Sequence, residues 1–264
     1  MFLRIRFALA IVAGLTIAGC ATSPTGRSQM LLYTSQELAQ MGDQAFSSMK
    51  AEIKISNQPV QNAYVKCVAD AITAQVPASV FNGQWEVVVF EDDQVNAFAL
   101  PGGKIGVYTG LLKVAENQHQ LATVIGHEVG HVIAEHGNER MSQGALINVG
   151  TQTVGQILAA GEISQSGAIM AAIGLGMEVG VQLPFSRTHE SEADLIGLDL
   201  MAQAGFDPQQ SVNLWHNMAA ASGEQPLELL STHPAPQSRI KNLQASMPKA
   251  QATFQQSSYR PGCK

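Results

Sequence analysis

Charge is scarce in this chain of 264 residues: Asp, Glu, Lys and Arg make up 14%, and the balance is acidic, at a net −6. A chain with 15 basic residues against 21 acidic ones, and no Lys/Arg cluster, has no basic face for a nucleic-acid backbone. Three cysteines are too few for a disulfide scaffold, and aromatic residues stop at 6%. No apolar run reaches the roughly 20 residues that a membrane-spanning helix needs. Hydrophobic residues at 45% are enough for one well-packed domain, or at most two small ones; the order of elements along the chain makes it α+β, mainly helical with a small β-sheet.

The first residues read as an export signal. Arg4 and Arg6 precede an apolar stretch from Phe7 to Ile17, and the small residues Ala18 and Gly19 stand just before Cys20. This order resembles the bacterial lipobox, which implies a signal peptide over 1–19 and a lipid on the Cys20 thiol. Residues 20–33 are then a lipid-anchored tether and 34–264 the folded domain. Ala21 replaces the Asp that would favour inner-membrane retention, so the expectation is a bacterial envelope protein at the outer membrane, facing the periplasm. Cys67 and Cys263 remain; they either pair as a disulfide or stay as a buried thiol and a tail cysteine.

Thr34 and Glu37 have capping-box spacing ahead of a first helix. A second helix is expected from about 60 to 75. Trp85 to Phe90 reads as a strand, and 96–100 with 104–108 as two short strands around Pro101-Gly102-Gly103. A helix over 118–136 is closed by Gly137 at its C-terminus. Residues 140–182, rich in Ala, Gly, Ile and Met, read as a buried helix pair in preference to a mobile or membrane-facing lid. Helices near 186–204, 208–222 and 235–247 follow.

The chemistry concentrates in His127-Glu128-Val129-Gly130-His131. Four residues apart on a helix, the two imidazoles project from one face and can share one Zn²⁺, with Glu128 as general base. Leu121, Val124, Ile125, Val129 and Val132 form an apolar stripe that would seat this helix in a core. Gly126 and Gly130 each cost roughly 1 kcal/mol against Ala in a helix interior. The close approach of another backbone or of a substrate offsets that. His136 lies about 140° around the helix from His131 and faces away. The metzincin positions for a Gly and a third His hold Ala134 and Gly137, and no acid stands near 150–152, where a thermolysin-type Glu would fall. Glu190 and Asp194 share a helical face: one can bind zinc and the other accept a ligand His N–H, unless both belong to a solvated acidic face.

Gly126 to His131, then Ser186-Arg187 with Glu190 to Asp194, then His233-Pro234 with Arg239, together resemble the HtpX/BepA/OMA-type zinc metalloproteases, the family of the CAAX prenyl endopeptidase. Asn96 to Ala99 and Gly102-Gly103 extend the resemblance over about 35–247. It implies a gluzincin-type fold with one zinc per chain on His127, His131 and Glu190, Glu128 as base, and Asp194 behind the ligands. It places His233 near the metal, either stabilising an oxyanion or capping the zinc, and leaves Arg239 either orienting that loop or solvated. The strand at Asn96 would pair with an extended polypeptide substrate. The implied role is quality control of misfolded membrane or periplasmic proteins. The alternatives are a chaperone-like outer-membrane assembly factor with latent protease activity, and a structural lipoprotein with an incidental motif.

Overall fold

The computed structural model describes residues 20–160, 186–222, 227–233 and 237–264. The signal segment and most of the expected apolar pair, 161–185, lie outside the described residues. The backbone divides into two compact units, Met1–Thr34 with Glu135–Leu183 and Ser35–Ala134 with Pro184–Lys264.

In the first unit, the residues expected to form an irregular tether instead make an antiparallel hairpin, β1 (Cys20–Thr22) with β2 (Ser28–Met30). Gly26, at φ +90°, lies in the tight loop between them, where a side chain would be strained. Arg27 donates to both carboxylate oxygens of Glu139 at 2.8 and 2.7 Å, and the Leu32 N–H donates to Ser142 Oγ. Both partners lie on the helix His136–Ala160. That helix buries His136, Asn138, Glu139 and Ser142 and leaves Leu146 and Val149 exposed, while the second helix of the expected pair lies outside the described residues.

The second unit starts with α1 (Ser35–Glu52) and α2 (Pro59–Thr73). Its sheet has the order β3-β5-β4, with β3 (Glu86–Phe90) parallel to β5 (Lys104–Tyr108) and β4 (Ala97–Leu100) antiparallel to β5. Side chains alternate as the pleat requires. Val87, Val89, Ala97, Ala99, Ile105 and Val107 face the main core, whereas Val88, Phe90, Phe98, Leu100 and Tyr108 pack with Phe46 of α1. This leaves β4 as an edge strand beside helix α3 (Gln118–Ile133). The Asn117 side chain caps α3 by accepting from the N–H groups of His119 and Gln120.

α3 ends three residues before the expected His136. Glu135, at φ +52°, turns the chain out of the helix, and the next helix, α4, is the one that starts at His136. Gly137 therefore lies inside α4 and closes nothing. α5 (Arg187–Gln203), capped by Ser186 Oγ on the His189 N–H, crosses α3 backbone to backbone. A Cβ on Gly126 would stand 2.9 Å from the Gly197 carbonyl oxygen, and one on Gly130 2.8 Å from that of Ala193. The two helical glycines thus let the His-bearing and acid-bearing helices meet without side chains between them.

The helices α6 (Gln210–Ala221), α7 (Glu228–Thr232) and α8 (Gln237–Gln256) complete the unit; α8 runs through Pro248, beyond the expected end at 247. Cys67 on α2 is disulfide-bonded to Cys263, and the Cys263 N–H donates to Gln118 Oε1 at the start of α3. The bond spans 196 residues, so it removes much freedom from the unfolded chain. Replacing both cysteines by Ser is expected to lower unfolding stability by about 2–5 kcal/mol, read from the denaturant midpoint with and without reductant. Among the described residues, no helix is long and apolar enough to cross a membrane.

Candidate metal centre

α3 and α5 bring the expected residues together, and the loop after α7 adds the fourth. One ligand atom each from His127, His131, Glu190 and His233 lies within 4.8 Å of the others, and all four residues are buried. His127 Nε2 lies 3.1 Å from His131 Nε2 and 3.3 Å from His233 Nδ1. Glu190 Oε1 lies 3.3 Å from His131 Nε2 and 3.0 Å from His233 Nδ1. Donors about 2.0–2.1 Å from a tetrahedral zinc stand roughly 3.3 Å from one another. The set therefore fits one zinc, in both spacing and donor type, with three imidazoles and a carboxylate.

A charged layer behind these residues fixes their orientation. His127 Nδ1 lies 3.0 Å from Asp194 Oδ1, which leaves Nε2 to face the centre. Arg239, 1% exposed, grips Asp194 through Nε to Oδ2 at 2.7 Å and a terminal nitrogen to Oδ1 at 2.6 Å. Its other terminal nitrogen donates to Glu190 Oε2 at 2.6 Å and to the His233 carbonyl at 3.2 Å. The guanidinium stacks on the Trp215 ring, 4.3 Å from its centre. Sequence spacing left Arg239 open between orienting and solvated; the structure makes it the common partner of three elements. Trp215 was not anticipated. Its place on the apolar face of α6, 24 residues before Arg239, was the only signal in the sequence, and it names no partner.

Electrostatics follow from burial and this packing. Burial and Arg239 both disfavour a charged His127, but the bonds to Asp194 and Glu190 outweigh them and raise its pKa to about 9. Burial holds His131 well below the usual histidine range. Burial works against the Glu190 carboxylate, yet three histidine contacts keep it well below the ordinary carboxylate range. Burial likewise opposes charge on Asp194, and Arg239 overcomes it. Glu128 differs: burial pushes its carboxyl up. Its Oε1 is buried without a hydrogen-bond partner among the described residues, 3.6 Å from His233 Nε2. That oxygen stands at the edge of the centre with no hydrogen bond to fix it among the described residues. Glu192, on the opposite side of α5, is also buried, so the acids of this helix do not form a solvated face.

Comparison with known proteins agrees with the geometry. The model of peptidase family M48 matches residues 59–247. The mitochondrial metalloendopeptidase OMA1 of Schizosaccharomyces pombe is 40% identical over 172 residues, covering 64% of this chain and 48% of that protein. OMA1 of Saccharomyces cerevisiae is 34% identical over 208 residues, 75% of this chain and 58% of the relative. The beta-barrel assembly-enhancing protease of Yersinia pestis is 31% identical over 218 residues, 80% and 44%. The chain spans about half the length of the curated relatives it matches. With the helix motif, the carboxylate of α5 and the His233 loop all inside the matched span, the chain belongs to peptidase family M48.

Proposed function

We propose that this chain is a zinc-dependent endopeptidase of the bacterial envelope that hydrolyses peptide bonds in misfolded or misassembled membrane or periplasmic proteins. The observation that carries the proposal is the convergence of His127, His131, Glu190 and His233 beside a Glu128 carboxylate oxygen that has no hydrogen bond among the described residues. Zinc, when bound, supplies Lewis acidity that polarises the scissile carbonyl and lowers the pKa of water towards about 7. Glu128 accepts the proton of the attacking water and passes it to the leaving nitrogen. Asp194, held by Arg239, keeps His127 in the tautomer whose Nε2 faces the centre. The edge strand β4 supports an extended substrate, with backbone bonds supplying much of its affinity. Zinc content together with cleavage of casein by the purified chain tests this reading.

A second reading, an assembly factor whose peptidase is latent, draws on the same loop. His233 Nδ1 stands where a fourth ligand would, and its α7 is tied to the approach of β4 by the Leu229 N–H donating to the Val95 carbonyl at 3.2 Å. A four-ligand centre has no open position, and a catalytic zinc keeps one. His233→Ala is therefore expected to retain zinc and cleave casein several-fold faster than the wild type. A fall of about 10²–10³-fold would make His233 the oxyanion donor instead.

Some relatives are named as mitochondrial, others are proteases of bacteria, and the residues before Cys20 support the bacterial envelope. We place the chain at the outer membrane, anchored through a lipid on Cys20. Cys20→Ala is expected to move the protein from the membrane pellet to the soluble fraction. Continued sedimentation would assign attachment to another segment.

A further inference from the structure

A second concave surface lies on the far side of Trp215. A cavity of about 470 Å³ opens between α6, α7 and α8, floored by Trp215, Leu230 and Ile240. Its rim is polar. Gln237, Lys241 and Gln244 stand at helical spacing along α8, and His216 stands opposite on α6. Among the described residues, none of these four side chains has a hydrogen-bond or ion-pair partner, although the chain carries more acids than bases. An apolar floor under a rim of exposed polar groups is the composition of a binding site, and the volume suits one or two side chains with their backbone.

The rim decides the occupant. Lys241 has no ion-pair partner among the described residues, and its positive charge complements a carboxylate. Two free glutamine amides offer donors and acceptors together, as a peptide backbone requires and a hydrocarbon tail does not. We propose that this groove is an exosite for polypeptide, holding a segment in which a large apolar side chain neighbours a carboxylate. The proposal rests on the peptidase reading in one respect, that polypeptides are what the chain engages.

Location gives the exosite a role distinct from the cleavage centre. Leu230 reaches the groove from α7, and three residues later His233 reaches the metal centre. Trp215 lines the groove while its ring carries Arg239. A segment bound here therefore rests on the two elements that hold the His233 loop, and engages a long substrate outside the β4 edge.

The test uses the full chain carrying Glu128→Gln, so that the probe stays intact. The probe is a fluorescein-labelled dodecapeptide of Gly and Ser with one central Leu-Phe-Glu, followed by anisotropy, alongside a Leu-Phe-Gln version and with sodium dodecanoate as competitor. Ala219 also lines the groove and is exposed, so Ala219→Trp fills it from the rim. This variant is expected to weaken the Leu-Phe-Glu probe by about tenfold or more, as loss of a buried anchor does. Lys241→Glu, an exposed change that leaves the core intact, is expected to weaken it about fivefold. It should also abolish the preference for Leu-Phe-Glu over Leu-Phe-Gln. Equal binding by both variants and the parent, or no binding by the parent, overturns the exosite. Dodecanoate binding in a Lys241-dependent way without peptide binding also overturns it, in favour of a lipid site. Casein cleavage by the Glu128-containing chain is read separately, so a missing exosite and a missing peptidase give different results.

Discussion

Glu128→Gln is expected to keep one zinc per chain and to lower casein cleavage by about 10²–10⁴-fold, the usual contribution of a general base. The substitution changes the side chain from a proton acceptor to an amide of the same shape. Glu128 is not among the four converging ligands, so metal affinity has no reason to fall. What the amide cannot do is take the proton of the attacking water. The buried Oε1 has no hydrogen bond among the described residues to lose, and its contact with His233 is long at 3.6 Å, so stability should hold within the range of ordinary substitutions. Metal analysis and initial rates on the same preparation check both halves. A variant that still cleaves at the wild-type rate removes Glu128 from the mechanism. Full complementation of a null strain by this variant would instead favour the assembly-factor reading.

Arg239→Met removes the cation shared by Asp194, Glu190 and the His233 carbonyl. Breaking a buried ion pair from one side typically costs about 3–5 kcal/mol, because the abandoned charge stays buried. Here two carboxylates are abandoned at once, and both are held ionised in the native state. The loss should be greatest in the zinc-stripped protein, where no metal charge offsets Glu190. Zinc affinity should also fall, by about 10–100-fold, since groups that orient ligands contribute on that scale. Arg239→Lys should rescue little: a point charge cannot reproduce the paired bonds to Asp194 or lie flat on Trp215. Urea melts with and without zinc, and competition against a fluorescent zinc chelator, measure the two effects. A solvated Arg239 would have cost less than about 0.5 kcal/mol, so the outcomes are well separated.

The sequence spoke clearly where a short-range period or spacing carried the information. The apolar run ending at Phe90 and the Pro101-Gly102-Gly103 turn marked the strands, and the His127/His131 and Glu190/Asp194 spacings marked two faces that meet. Gly126 and Gly130 announced a close backbone approach, and Gly197 with Ala193 supply it from α5. Other features had no local signature. The end of α3 is set by Glu135 in a left-handed conformation that glutamate rarely adopts, so Gly137 looked the better stop. The β1–β2 hairpin lies in an aperiodic stretch and packs through single polar contacts, such as Arg27 with Glu139, 112 residues apart. A complete burial of Arg239 follows only from three elements closing around it, which no window of sequence contains. Cysteine count left the Cys67–Cys263 bond open because pairing over 196 residues depends on where the tail returns.

Casein cleavage by the chelator-stripped chain, followed as zinc is added back, tests the zinc-dependent peptidase centre most directly. The predicted result is no cleavage without metal and a rise to a plateau at one zinc per chain, steeper for His233→Ala than for the wild type. Cleavage that persists in the stripped protein would contradict it. So would a folded chain that takes up one zinc and leaves casein whole in both forms.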